Sequence, residues 1–549
     1  LISNLIKIFF MISKTFKKIT VAFVVVITIT SCAKKLDLYP TNDLTPVKVY
    51  ATAAGYKSVL AKIYGGLASG GNQGPAGQPD ISGGLDEGSQ IAFIRPFFNC
   101  EELPTDEAVV AWNDQTIHDY HNLSFTSADP FLKGMYARPM YNITLANEYL
   151  RYSTDEAVAS HGITGADATN IKSTRAEVRF LRAFNYWLMM DLFGNSTFVT
   201  EADAVGGSLP TQIKRADLSN YIVGELKAID GDLAPVKTIE YGRVDQGAAW
   251  ALLARVYLND SVYTGTPHYD SALYYASKVI AGGYSLQPGY AKLFMADNDK
   301  QKNEFIFSVP IDGLHTQGYG NTTFFVHAAS GDEANSDYGV TGGGWYGYRA
   351  TTGLVNLFTD KTGGSDQRAM FTTSKYGTGA GQLAIADISN FDQGPHVIKY
   401  VNKRSDGAKV SDPTGYFADI DFPVFRLSEM YLIYAEAAVR RAAGGDLATA
   451  LNYLNLIRAR AYGGTATGQL NINDLTPQLI LDERGRELYW EGHRRTDLIR
   501  YGLLTSASYL WPWKGGVTSG TAVDSKYNLF PVPASVLSSN SNLTQNSGY

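Results

Sequence analysis

Apolar residues recur at helical spacing in a few well-defined stretches of the chain. In "RFLRAFNYWLMMDLFG", Phe180, Phe184, Trp187 and Leu188 fall at i, i+4, i+7 and i+8, and Gly194 supplies a stop. "DQGAAWALLARVYLND" opens on Asp245 and carries Ala248, Ala251 and Ala254, small enough for a neighbouring helix to come close. "LSEMYLIYAEAAVRRAAGG" ends at Gly444-Gly445; Asp446 then caps "LATALNYLNLIRARAYGG", with Leu447, Leu451, Leu454 and Ile457 facing one way. Ser428 to Tyr462 is thus a helix–turn–helix close to the tetratricopeptide period of about 34 residues. One such pair cannot bury its own apolar face. Segments 135–152, 172–193, 217–230, 246–260 and 268–281 are the expected neighbours. A further helix starts at Thr476-Pro477 and is expected to run to Gly492.

Between these helical blocks the pattern breaks. Residues 64–130 hold "YGGLASGGNQGPAGQPDISGG" and "ELPTDEAVVAWND"; residues 300–425 hold the strand-like "NEFIFSVPI" and then "GYGNTTFFVHAASGDEANSDYGVTGGGWYGYR". The expected fold class is therefore mainly α, with helix pairs at about 135–281 and 426–492 as scaffold and two loop-rich excursions. Loops on a rigid scaffold are where binding usually lives.

The N-terminal end adds an address. From Met11 the chain reads "MISKTFKKITVAFVVVITITSCAKKLDLYP". Lys14, Lys17 and Lys18 precede an apolar run from Ile19 to Thr30, too short for a bilayer core of about 20 residues. It fits a cleaved export signal, residues 1–31, and "ITSC" resembles a bacterial lipobox with Cys32 as the lipidated thiol. The ten residues before Met11 read as an over-extended start. Residues 32–549 are expected to form a single domain.

Charge narrows the function. The net charge is -6, and removing Lys7, Lys14, Lys17 and Lys18 with the signal takes it to -10. Such a chain lacks the cationic excess that nucleic acid requires. If Cys32 is lipidated, Cys100 stands alone and no intrachain disulfide can form. Tyrosine, at 35 residues against 25 Phe, is in excess, which suggests half-wet aromatic surfaces.

Several ordered segments resemble the SusD/RagB family of outer-membrane lipoproteins from glycan-foraging Bacteroidetes: "SCAKKLDLYP", "AEVRFLRAFNYWLMMDLFGNSTFVT", "AAWALLARVYLN", "NEFIFSV", "FPVFRLSEMYLIYAEAAVR", "LNLIRARA", "ERGRELYWEGHRRTDLIRYG" and "NLFPVPASVLSSNSNLTQNSGY". The resemblance implies a right-handed superhelix of tetratricopeptide-like helix pairs with an irregular capping region. It implies an oligosaccharide-binding lipoprotein on the cell exterior, anchored in the outer membrane, that lids a SusC-like TonB-dependent transporter without catalysis. Residues 64–100 and 311–350 match loosely, and these would determine the ligand.

The candidate chemistry falls into two kinds. Glu483, Glu487 and Glu491 lie four apart among Arg484, Arg486, Arg494 and Arg495. A glycoside hydrolase needs two carboxyls about 5–9.5 Å apart, one with a raised pKa. Neighbouring arginines do the opposite, so these glutamates are expected to form an ion-pair frame tying the last helix pair to the C-terminal segment. His118 and His121 in "IHDYH" lack the partners of a metal site and are read as a surface pair. "DNDKQKNE" at 297–304 lacks a calcium loop's spacing and reads as a polar turn. The glycine clusters at 65–77 and 377–381 lack the phosphate-loop pattern. No metal or other cofactor is called for. The aromatics are the ligand candidates, because sugar C–H faces pack on rings while their hydroxyls need polar groups at the rim. Trp112, Asn113 and Asp114 form one cluster; Trp345, Tyr346, Tyr348 and Arg349 form a second on a Gly-rich loop; Trp511 and Trp513 are a weaker third. The competing readings are a hydrolase and a binder of a non-glycan nutrient such as peptide.

Cys32→Ala is expected to shift the protein from the membrane to the soluble fraction on cell fractionation. Retention in membranes would contradict lipidation.

Overall fold

The computed structural model describes residues 45–71, 74–75, 79–81, 84–330, 335–372 and 383–549, together with Ile2. The signal segment, Met11, Cys32 and the glycine cluster at 377–381 lie outside these residues, as does part of the cluster at 65–77. The chain divides into two compact units, Leu1–Tyr56 and Lys57–Tyr549.

From Ile94 onward the main helices are α1 (Ile94–Glu101), α2 (Pro130–Tyr152), α3 (Gly165–Phe193), α4 (Arg215–Ala228), α5 (Gln246–Leu258), α6 (Tyr269–Ile280), α7 (Thr322–Ala329), α8 (Leu427–Val439), α9 (Leu447–Ala461), α10 (Pro477–Leu488) and α11 (Arg494–Arg500), with shorter turns between. Their starts follow from local chemistry. The Asp129 carboxylate accepts the Leu132 amide at 2.9 Å ahead of Pro130. Asp245 accepts from Ala248 at 3.1 Å, Asp446 from Thr449 at 2.8 Å, and the Thr476 hydroxyl from Leu479 at 3.1 Å. Gly194, at φ 74°, closes α3.

The pairs stack in chain order: α2 on α3, α3 on α4, α5 on α6, α6 on α8, and α8 on both α9 and α10. Ala248, Ala251 and Ala254 are fully buried where α5 meets its neighbours. Leu454 and Ile457 of α9 face inward as expected, but Leu447 is 43% exposed. No helix among the described residues is long and apolar enough to cross a membrane.

Strands are few and short: β1 (Val109–Val110), β2 (Ser196–Phe198), β3 (Thr211–Ile213), β4 (Phe305–Val309), β5 (Tyr348–Arg349), β6 (Phe371–Thr372), β7 (His396–Val397) and β8 (Phe422–Arg426). They form antiparallel pairs β1–β5, β2–β3, β4–β8 and β6–β7. "NEFIFSVPI" supplies β4, and β4–β8 closes the ends of the second excursion against each other.

The glutamates of α10 sit at the centre of a buried ion-pair frame. Glu483 meets Arg368, Arg458 and Arg486, each at 2.7 Å. Glu487 meets Arg426 at 2.5 Å, Arg368 at 3.3 Å, and Arg460. Arg426 also reaches Glu491 at 2.7 Å and Glu304 at 3.1 Å, and Lys399 reaches Glu491 at 2.6 Å. Burial alone would raise the Glu483 and Glu487 carboxyls. The surrounding guanidinium groups outweigh it, holding Glu483 far below the carboxylate range and Glu487 at about 2. Neither can act as a general acid.

Two expectations are corrected. The helix ends at Leu488, because Trp490 adopts φ 61° and Gly492 φ 79°, so Glu491 reaches the frame from a turn. The frame reaches α11 beyond the helix pair, through Arg484–Asp497 at 2.6 Å and Arg500–Glu436 at 2.7 Å, and it also takes in the second excursion through Arg368 and Lys399. His121, read as a surface residue, is buried in a short helix, where desolvation pulls its pKa down to about 3.

Glu487→Ala leaves Arg426 and Arg460 short of a counter-charge in the interior. A loss of about 3–5 kcal/mol is expected in denaturant unfolding; unchanged stability would contradict the frame.

Candidate functional site

Two loops far apart in sequence meet through one small strand pair. β1 and β5 are antiparallel, Val109 opposite Arg349 and Val110 opposite Tyr348, and the ladder continues with the Ala111 amide donating to Gly347 at 2.8 Å. Trp112 therefore emerges beside Trp345, and its indole N–H donates to the Trp345 carbonyl at 3.2 Å. The second loop is fixed from behind by α7: the Trp345 amide donates to His327 at 2.7 Å and the Tyr346 amide to Ser330 at 3.0 Å. Glycine is required twice. A Cβ on Gly344 would fall 1.7 Å from the Ser330 carbonyl, and one on Gly347, at φ 125°, would fall 2.5 Å from the Trp112 indole nitrogen.

The result is a cleft of about 490 Å³ with Trp112, Asp114 and Trp345 in its lining. Tyr319 and Tyr416 complete the aromatic wall. Tyr319 meets the Trp345 ring edge-on at 5.9 Å between centroids, and Trp345 donates its indole N–H to the Tyr416 hydroxyl at 3.1 Å. Arg95, from α1, lies in the floor, its guanidinium 5.4 Å from the Trp112 ring centre and 4.8 Å from that of Phe324. Its Nε has no hydrogen-bond partner among the described residues. Burial pulls its pKa down, against the pull of Tyr348 and the Asp86 and Asp114 carboxylates. Asp86 and Gly88 finish the lining. Half-buried rings, one cation with unused donor capacity and exposed carboxylates suit a ligand with apolar faces and many hydroxyls.

The other candidates lie elsewhere. Asn113 is exposed beside the cleft but not in its lining. Tyr346 turns away and stacks on Phe391, 6.1 Å between centroids, with its hydroxyl donating to Asp392 at 3.3 Å. Tyr348 and Arg349 are corrected outright. Both are 0% exposed. Tyr348 donates to Asn99 at 2.7 Å in the core, and the Arg349 guanidinium donates to the carbonyls of Ile388, Gln393 and Asn390. Trp511 is buried, and Trp513 spends its N–H on the Ile385 carbonyl at 2.9 Å.

Tyr319, Tyr416, Arg95 and Asp86 are site residues that the sequence pattern does not single out. Tyr319 stands between Gly318 and Gly320, and Tyr416 follows Gly415, the same signal that marks Trp345. Arg95 is a lone charge inside "IAFIRPFF".

The segment carrying Trp112 is bolted to the turn after α10. The Trp490 amide donates to Glu107 at 3.0 Å and the Gly492 amide to Glu102 at 2.6 Å. Arg494 grips Asp106 with two 2.7 Å bonds. Glu102 and Glu107 are both buried, and their carboxyls act on each other in the interior. Desolvation, reinforced by Glu107, pushes Glu102 well up; desolvation also pushes Glu107 up, to about 7, against the pull of Arg494.

Comparison with known proteins gives one consistent answer. The model of the SusD family matches residues 303–549. The starch-binding protein SusD of Bacteroides thetaiotaomicron is 36% identical, over 95% of this chain and 96% of that protein. Among solved structures, surface glycan-binding protein A from Bacteroides thetaiotaomicron, in complex with laminarihexaose, is similar at a TM-score of 0.68 and 19% identity, covering 90% of this chain and 99% of that one. A SusD-like protein from Bacteroides fragilis is similar at a TM-score of 0.68 and 19% identity, covering 93% and 100%.

The raised carboxyls set a pH dependence. Folded Glu102 and Glu107 keep protons that the unfolded chain has released, so their contribution is present at low pH and fades as pH rises. Around pH 6.5 unfolded histidines still lose protons while buried ones such as His121 and His396 hold none, which acts the other way. The test is therefore a difference: between about pH 6.5 and about pH 8 the melting temperature of Glu102→Gln, which keeps both a donor and an acceptor, is expected to rise relative to that of wild type; an unchanged difference would contradict the assignment.

Proposed function

The chain belongs to the SusD family, and on that premise we propose that it is a non-catalytic glycan-binding protein of the bacterial surface whose ligand occupies the cleft between Trp112 and Trp345. One observation carries the reading: two tryptophans from separate loop-rich excursions converge on one half-open cleft with Arg95 and Asp114 in its lining. The rings offer flat apolar faces for sugar C–H groups. The guanidinium donates to hydroxyls and the carboxylates accept from them, replacing the water those groups lose. Edge-to-face contacts between Tyr319, Trp345 and Tyr416 set the rings at angles, so the wall suits a curved chain more than a flat one. That feature and the 36% identity to a starch-binding protein support an α-glucan of the starch type as the ligand class.

Attachment at Cys32 would hold the protein in the outer membrane facing the exterior, where captured oligosaccharide passes to a SusC-like TonB-dependent transporter. Catalysis is disfavoured by the α10 glutamates, which are fully buried, ionised and engaged by arginine. A peptide ligand finds less support, since the cleft is lined by rings and scattered polar groups.

Trp345→Ala is expected to weaken binding of maltooligosaccharides about tenfold by calorimetry, the worth of one ring contact, with little change in melting temperature and no hydrolysis by either protein. Unchanged affinity with a large drop in melting temperature would make Trp345 a core residue. Binding of peptides but of neither maltooligosaccharide nor laminarihexaose would overturn the glycan reading.

A further inference from the structure

Behind the cleft wall, in the last turn of α7, His327 holds both loops that carry the wall. Its imidazole packs on the Trp345 ring, 5.0 Å between centroids at 22°, and on the Tyr416 ring, 4.4 Å at 31°. Its nitrogens meet the backbones of the same loops: Nδ1 is 2.9 Å from the Gly343 carbonyl and Nε2 is 2.8 Å from the Tyr416 carbonyl. Both partners are acceptors. A neutral imidazole has one N–H, so one carbonyl faces a nitrogen lone pair; an imidazolium donates to both. We propose that His327 is a positioning residue for the ligand cleft: its doubly protonated ring clamps the Gly343 and Tyr416 loops together, and its neutral ring holds only one of them. The proposal rests on the cleft being the glycan site.

Few charged groups surround the ring. α7 has no other titratable residue. The loop at 341–347 brings Tyr346, which faces Phe391 and His396. The loop at 412–417 brings Tyr416 and Asp412, whose carboxylate accepts the amides of Thr414, Tyr416 and Phe417. Across the cleft stand Arg95, Asp86, Asp114 and Tyr319. Burial lowers the His327 pKa and the two carbonyls raise it, with the balance below the ordinary imidazole value. At neutral pH the ring is therefore neutral and the clamp half-made. Protonation costs the fold as a whole some stability as pH falls, so the readouts must be local.

The test compares wild type, His327→Phe and Trp345→Phe between about pH 7.5 and about pH 5. His327→Phe keeps a ring against Trp345 and Tyr416 and removes both nitrogens. Tryptophan emission is followed without ligand, because an imidazolium in contact with an indole quenches it. Affinity for a maltooligosaccharide is then measured at each pH. In wild type, emission is expected to fall as pH falls, and affinity to tighten about three- to tenfold, the worth of one net hydrogen bond. The emission change should vanish in both variants, and the affinity of His327→Phe should not vary with pH. An emission change that persists in His327→Phe, or a wild-type affinity that is flat or falls on acidification, would overturn the proposal. If wild type binds no maltooligosaccharide at any pH, the glycan reading falls, and the wild-type and Trp345→Phe emission curves still decide whether His327 protonates against Trp345.

Discussion

The contact between Glu487 and Arg426 is the fixed point of the structure. Arg426 ends β8 and precedes α8, and its guanidinium also reaches Glu491 and Glu304. Three segments distant in sequence thereby meet at one cation: the entry to β4, the junction of β8 and α8, and the end of α10 with the turn behind it. Taking so many charges out of water is unfavourable unless each is matched. Here the match is nearly complete, with Arg368, Arg458, Arg460, Arg486 and Lys399 serving Glu483, Glu487 and Glu491. Such a frame accepts one arrangement of its members and resists any other, which suits a scaffold that must present loops at fixed positions.

From there the geometry passes outward to the cleft through a short mechanical path. Glu491 holds the turn after α10; the amides of Trp490 and Gly492 hold Glu107 and Glu102; Arg494 holds Asp106. That acidic segment leads directly into β1 and Trp112. β5 brings in Trp345 from the second excursion, whose far end is itself anchored by Arg368 and Lys399. The rings of the cleft are thus displayed on irregular chain that is tied at several points to a rigid interior. Loops so attached can differ in sequence between relatives without loss of the scaffold.

Much of the scaffold was legible because its signals are local. Helical spacing around Phe180 to Leu188, the caps at Asp245 and Asp446 and the "NEFIFSV" strand each depend on neighbours in sequence. The ionic role of Glu483 and Glu487 was legible too, since arginines surround them. Apart from Arg486, their partners were not, because Arg368 and Arg426 come from far along the chain. The same limit explains the site. Glycine-flanked rings marked Trp345, which lines the cleft, yet the same rule would have found Tyr319 and Tyr416. Tyr348 and Arg349 look identical to Trp345 in composition and are buried, because β5 pairs with β1 and carries both into the interior. Arg95 becomes a site residue only when α1 is docked beneath Trp112.

The central claim is that paired charges build the protein and half-buried rings meet the ligand. The most direct measurement is a crystal structure with a maltooligosaccharide bound. The account predicts an uncleaved chain lying against Trp112 and Trp345, with its hydroxyls at Arg95 and Asp114 and the Glu487–Arg426 frame unchanged. Sugar bound away from both rings, or cleaved product beside Glu483 and Glu487, would contradict it.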